Sequence, residues 1–170
     1  MKISMIRAQC NRYTFQPQAI HDFVASKIEG TKILNLFAGK TILNSNEIRV
    51  DNDPTLSNIH FRMDVKKFLN THNELWNTII YDPPWNERKA KEKYDGRWIG
   101  KFTKLKDRIV EILKLNGIII SAGYEIDNFG KQRGMQLEEI AIINPSGEFR
   151  PFFITIERKK QKILEEVAEK

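Results

Sequence analysis

Residues 76–85 read WNTIIYDPPW, and the architecture can be inferred from them. Trp76 to Tyr81 is an apolar, β-branched run too short for a helix. Pro83 and Pro84 stop it, because a proline fixes its own φ and has no amide hydrogen to give to a ladder. It is a strand that ends in an acid. Working outward, the same pattern recurs. Lys32–Phe37 (KILNLF) is a short buried run bounded by Gly on both sides, Ile48–Asp51 (IRVD) is a second strand and His60–Met63 a third. Gly117–Ala122 (GIIISA) is apolar on both faces, as a central strand of a parallel sheet must be. Helical spacing alternates with these runs. Ile20, Phe23, Val24 and Ile28 share one face of Gln16–Ile28, a short helix falls near Val65–Asn70, and Asp53-Pro54 reads as a further helix start. Trp98, Phe102, Leu105, Ile109 and Ile112 recur at threes and fours in a helix ending near Asn116-Gly117. Ile140–Ile143 and Phe152–Glu157, around Asn144-Pro145-Ser146-Gly147, read as a closing antiparallel hairpin. The pattern predicts an α/β sandwich around a mostly parallel, seven-stranded sheet with a terminal antiparallel hairpin. The crossover from Ala38 to Glu47 has about ten residues, near the minimum for a parallel connection, so any helix there is stunted.

Composition narrows the class. The chain has 170 residues, 41% hydrophobic and 29% charged, which suits a single domain over residues 1–170 with its own core. The apolar fraction excludes low-complexity disorder. No apolar stretch approaches the roughly 20 residues that cross a bilayer, and residues 1–13 lack the apolar core of a signal peptide. Cys10 is alone, which excludes an internal disulfide and fits a reducing, cytoplasmic location. His21, His60 and His72 lack zinc-site spacing with each other or with Cys10, so no metal is expected. The net charge is +6 and the pI about 9.4, which points to an anionic partner. That charge is concentrated: Glu87–Arg108 holds nine basic and four acidic residues.

Ligands of open α/β sheets bind beyond the carboxyl ends of the strands. Just past the predicted strands stand Phe37-Ala38-Gly39, Asp51, Asp64, and Asp82-Pro83-Pro84-Trp85. Three acids and a small-residue turn on one edge can hold a nucleoside-like cofactor. One carboxylate accepts two ribose hydroxyls, another accepts an adenine amine, and the turn lets the ligand approach the backbone. Asp53 is read only as a helix cap.

Over roughly Tyr13 to Ile156 the sequence resembles the class I S-adenosylmethionine-dependent methyltransferases, specifically those that methylate an exocyclic amine of a nucleobase. Tyr13-Thr14-Phe15-Gln16-Pro17 looks like the stretch that cups the methionine part of the cofactor. Asn35-Leu36-Phe37-Ala38-Gly39 looks like the first glycine motif, Val50-Asp51-Asn52-Asp53-Pro54 like the ribose-binding motif, and Met63-Asp64-Val65 like the adenine-contacting motif. Asp82-Pro83-Pro84-Trp85 has the catalytic Asp/Asn/Ser-Pro-Pro-aromatic form. The resemblance implies a Rossmann-like three-layer sandwich that binds S-adenosyl-L-methionine through Thr14, Phe15, Asn35, Phe37, Ala38, Gly39, Asp51, Asn52, Asp64 and Val65. It implies that residues 1–30 pack on the cofactor side, with no separate target-recognition domain. Asn35 and Thr41 stand where that family usually has an acid and a second glycine, which leaves Gly39 to make the turn alone.

The tetrapeptide suits the implied chemistry. An exocyclic amine is conjugated with its ring and is a poor nucleophile. The Asp82 side chain and the Pro83 carbonyl can accept its two hydrogens and favour a pyramidal nitrogen, which is catalysis by positioning and electrostatics. Pro84 stiffens the turn, and Trp85 offers a face to a flipped-out base. The basic run follows directly, so Arg88, Lys89, Lys91, Lys93 and Arg97 are candidate phosphate contacts. The expected activity is methylation of adenine N6 in nucleic acid, with DNA favoured over RNA. The alternatives are guanine N2 of ribosomal RNA and a non-catalytic nucleic-acid-binding module.

Overall fold

The computed structural model describes residues 1–11, 13–84, 103–126, 129–145 and 150–160. Strand β1 spans Lys2–Ala8, helix α1 Gln18–Lys27, β2 Ile33–Leu36, β3 Glu47–Asp51, β4 Phe61–Arg62 and helix α2 Val65–Thr71. They are followed by β5 Trp76–Tyr81, helix α3 Thr103–Glu111, β6 Leu113–Gly123, β7 Met135–Pro145 and β8 Phe152–Lys159. The strands form one sheet in the order β1-β7-β8-β6-β5-β2-β3-β4. β2 lies parallel between β3 and β5, β4 joins β3 and β6 joins β5 in the same sense, and β8 runs antiparallel between β6 and β7.

Both sheet faces are covered, which is why all four residues of β2 are buried. On one face Leu34, Val50, Ile79 and Ile119 pack with Phe68 and Leu69 of α2 and with Leu105 and Ile109 of α3. On the other, Ile33, Ile80, Ile118 and Ile154 pack with Ile20 and Val24 of α1. This is the expected three-layer α/β sandwich, with the expected hairpin closing the sheet.

Four expectations are corrected. The described sheet has eight strands rather than seven. The additional one, β1, pairs in parallel with β7 from Lys2↔Glu139 to Ala8↔Pro145. It escaped the sequence reading because an edge strand can be held by its backbone alone: Ile3 is 60% and Met5 70% exposed, so no buried alternation marks it. The crossover from β2 to β3 contains no helix at all. Asp53-Pro54 starts a turn rather than a helix, with Asp53 Oδ1 accepting the Thr55 N–H and hydroxyl at 2.8 and 2.7 Å. Finally, α3 stops at Glu111, short of Asn116-Gly117. Lys159 from β8 donates its ammonium to the carbonyls of Val110 and Leu113 at 2.6 and 2.8 Å, and the Trp76 N–H takes the Ile112 carbonyl at 2.9 Å. Acceptors that a longer helix would use internally are thereby taken from outside, and the chain enters the sheet at Leu113. Trp98 and Phe102, expected on the same helix, lie outside the described residues.

Candidate cofactor and active site

The carboxyl ends of β2, β3 and β5 converge on one cleft, as the parallel register requires. The turn after β2 contributes Phe37, Ala38, Gly39, Lys40 and Thr41, the end of β3 and its turn contribute Asp51, Asp53 and Leu56, and the residue just past β5 is Asp82. Tyr13, Thr14 and Phe15, between β1 and α1, close the remaining side. The sequence-predicted Thr14, Phe15, Phe37, Ala38, Gly39, Asp51 and Asp82 are thus brought together. Asn35, Asn52, Asp64, Val65, Pro83 and Pro84 do not line this cleft. Trp85, Arg88, Lys89, Lys91, Lys93 and Arg97 lie outside the described residues.

The turn after β2 has two left-handed residues, Phe37 at φ 60° and Gly39 at φ 58°, so Gly39 does not make it alone. Glycine accepts that conformation freely; for an aromatic residue it is strained. Phe37 is held in place by packing edge-on against Tyr81, ring centroids 5.9 Å apart, while the Ala38 N–H donates to the Val50 carbonyl at 3.1 Å. A side chain at 39 would start 3.9 Å from the Tyr13 ring, in the mouth of the cleft.

Asp51 ties the two turns together. Its Oδ2 accepts the Gly39 N–H and its Oδ1 the Asp53 N–H, each at 2.9 Å. Burial pushes its carboxyl above the ordinary aspartate range, against the pull of those amide hydrogens. The Asn52 amide also bears on the carboxylate, and the acceptor capacity that remains is open to a further donor. Arg62 fixes the turn beyond, donating to the carbonyls of Asp53 and Leu56 at 2.6 and 2.8 Å. Asp64 is engaged as the N-cap of α2, with Oδ1 accepting from the amides of Lys66 and Lys67 at 2.9 and 3.2 Å, and Val65 is buried in the core.

Beneath the glycine turn lies a charged pair absent from the sequence reading. Arg49 is 2% exposed, with Nε 3.2 Å from Glu47 Oε1 and Nη2 donating to the carbonyls of Ala38 and Gly39 at 3.3 and 2.7 Å. Glu47 also accepts from Asn35 Nδ2 at 3.2 Å and from the Leu43 N–H at 3.3 Å. Its burial raises its pKa, and that of Arg49 is lowered for the same reason. The signal was available: Glu47, Arg49 and Asp51 occupy alternate positions of one strand and must share a face. Asn35, expected to touch cofactor, donates to Glu47 in this buried network. Lys40 extends the other way, with Nζ 5.2 Å from the Tyr13 ring centroid.

No protein-family model and no curated protein sequence matches the chain. Its fold does match solved structures. TrmN from Thermus thermophilus superposes with a TM-score of 0.57 at 15% identity over 87% of this chain and 50% of TrmN. The chain therefore spans about half the length of that protein. The N-methyltransferase NodS from Bradyrhizobium japonicum WM9, in complex with S-adenosyl-L-homocysteine, superposes with a TM-score of 0.56 at 13% identity, covering 83% of this chain and 86% of NodS. What the chain has in common with these structures is the methyltransferase fold.

Proposed function

We propose that the chain is an S-adenosylmethionine-dependent methyltransferase that modifies an exocyclic amine of a nucleobase, with adenine N6 in DNA the leading substrate. One observation carries the reading: Asp82, which opens the Asp-Pro-Pro-Trp tetrapeptide at the end of β5, lines the same cleft as the glycine turn and Asp51. The residues suit the cofactor. A buried carboxylate at the end of β3, lining the cleft beside the glycine turn, matches the ribose hydroxyls. NodS, an N-methyltransferase with S-adenosyl-L-homocysteine bound, supports the same cofactor.

When bound, the cofactor supplies a methyl group on a sulfonium. The chain supplies the alignment. Asp82 and the Pro83 carbonyl accept the two hydrogens of the target amine and turn its lone pair toward the methyl carbon. Trp85 stacks on the extruded base, and the basic residues that follow it neutralise flanking phosphates. The test is mass spectrometry of nucleosides after incubation with cofactor and separate DNA and RNA pools. N6-methyladenine in the DNA pool is expected. N2-methylguanine in the RNA pool would move the substrate to ribosomal RNA, and no new methylated nucleoside in either pool would overturn the reading.

A further inference from the structure

We infer that Lys40 is the residue that binds the carboxylate of the cofactor's amino-acid end and makes the site selective for ligands that carry one. The assignment rests on the cofactor reading above. In a helical crossover, the amides and dipole at the start of the helix after the glycine turn provide the positive charge that an anionic group needs. Here residues 37–46 contain no helix, so that source is missing. The positive charge beneath the turn is already committed, because the Arg49 guanidinium is engaged by Glu47 and by the carbonyls of Ala38 and Gly39. The cleft itself is lined by three acids, Asp51, Asp53 and Asp82, which suit a sulfonium and an ammonium and repel a carboxylate. Among the described residues lining it, Lys40 is the only basic one. Its ammonium reaches across the turn to the Tyr13 ring, on the side closed by Tyr13, Thr14 and Phe15. This placement matches the one negative charge of an S-adenosyl ligand.

The test compares two ligands by calorimetric titration of the full chain. S-adenosyl-L-homocysteine carries the carboxylate; 5′-methylthioadenosine keeps the adenosine and the thioether but lacks the amino-acid end. Lys40→Met is expected to weaken the first by about tenfold and leave the second within about twofold, and Lys40→Arg to restore most of the loss. In the unaltered protein, rising salt is expected to weaken homocysteine-ligand binding more than methylthioadenosine binding. Thermal melting checks that the variants are folded. An unchanged affinity for S-adenosyl-L-homocysteine in Lys40→Met would overturn the assignment while the cofactor reading stood. A parallel loss for both ligands would also overturn it, by making Lys40 a support for the turn. Failure of the unaltered protein to bind either ligand would bring down the cofactor reading and the assignment with it.

Discussion

Asp51 and Asp82 end strands on either side of β2, yet their surroundings give them separable tasks. Asp51 is buried and holds the backbone of two turns. Asp51→Asn is therefore expected to reduce cofactor affinity by about 1.5–3 kcal/mol, the value of a charge-assisted hydrogen bond. Calorimetry on the folded variant checks it. The pH dependence follows from the same residue. Ribose hydroxyls need the carboxylate as acceptor, and burial raises the pKa of Asp51, so affinity is expected to fall as pH drops through a value above the ordinary aspartate range. In Asp51→Asn that dependence should flatten. Asp82→Ala is expected to give the opposite pattern, with cofactor affinity retained and methyl transfer slowed by roughly 10²–10³, the loss typical of one oriented acceptor at a reaction centre. Single-turnover rates with saturating cofactor separate the two; full activity in Asp82→Ala would remove that side chain from the mechanism.

At the scale of elements, β6 shows how tightly the sheet is specified. Trp76 pairs with Leu113 and Thr78 with Ile118, so β6 bulges between those two pairings, and residues 114–117 are accommodated there. Asn116 takes φ 63°, a conformation asparagine tolerates better than most residues. Gly117 has no room for a side chain: an added Cβ would sit 2.8 Å from the Asn77 carbonyl oxygen and 3.0 Å from that of Lys114. Both obstacles are backbone and neither can swing away. Gly117→Ala is expected to destabilise by about 1–3 kcal/mol. Gly123→Ala, in the same strand with nothing within 4 Å of its added Cβ, is the control and should change little. Urea unfolding of the two variants decides it, and equal midpoints would mean the bulge relaxes at no cost. The bulge is also why the helix end was misplaced in sequence: Asn116-Gly117 is a helix-stop signal and a bulge signal alike.

For the whole molecule the governing quantity is charge. The basic run does not act as one body, because its last described member, Arg108, is engaged inside the fold. Its guanidinium donates to the carbonyls of Leu69 and His72 at 3.0 and 3.3 Å and to Glu111 Oε2 at 2.7 Å, tying α2 to α3. Phosphate binding is then expected from the earlier members. Replacing Arg88, Lys89, Lys91 and Lys93 with Gln should weaken nucleic-acid binding irrespective of sequence. The slope of log affinity against log salt should flatten by about 0.9 for each duplex phosphate that is no longer neutralised, or about 0.7 for single strands. Titrations at several salt concentrations read this directly. An unchanged slope would locate the nucleic-acid surface elsewhere, with the basic Arg158-Lys159-Lys160 the next segment to probe; of these, Lys159 already caps α3, Arg158 is paired with Glu29 and Glu138, and Lys160 with Glu138.

Sequence alone specified the layered α/β class, the positions of β2, β3, β5 and the closing hairpin, and the residues at their carboxyl ends. Apolar period and proline placement are local signals, and parallel pairing of consecutive βα units leaves few ways to arrange them. It determined Gly39, Asp51 and Asp82 as neighbours for the same reason, since strand ends of a parallel sheet share an edge. The remaining features depend on contacts between distant segments. β1 exists because β7 offers it a ladder, α3 ends where Lys159 arrives from β8, and the helix-free turn after β2 is held by Arg49, which donates to the carbonyls of Ala38 and Gly39 from beside Glu47. Asn35 and Asp64 show the same division: their places were plain in sequence, but their partners were set by a buried carboxylate twelve residues away and by the open amides of α2.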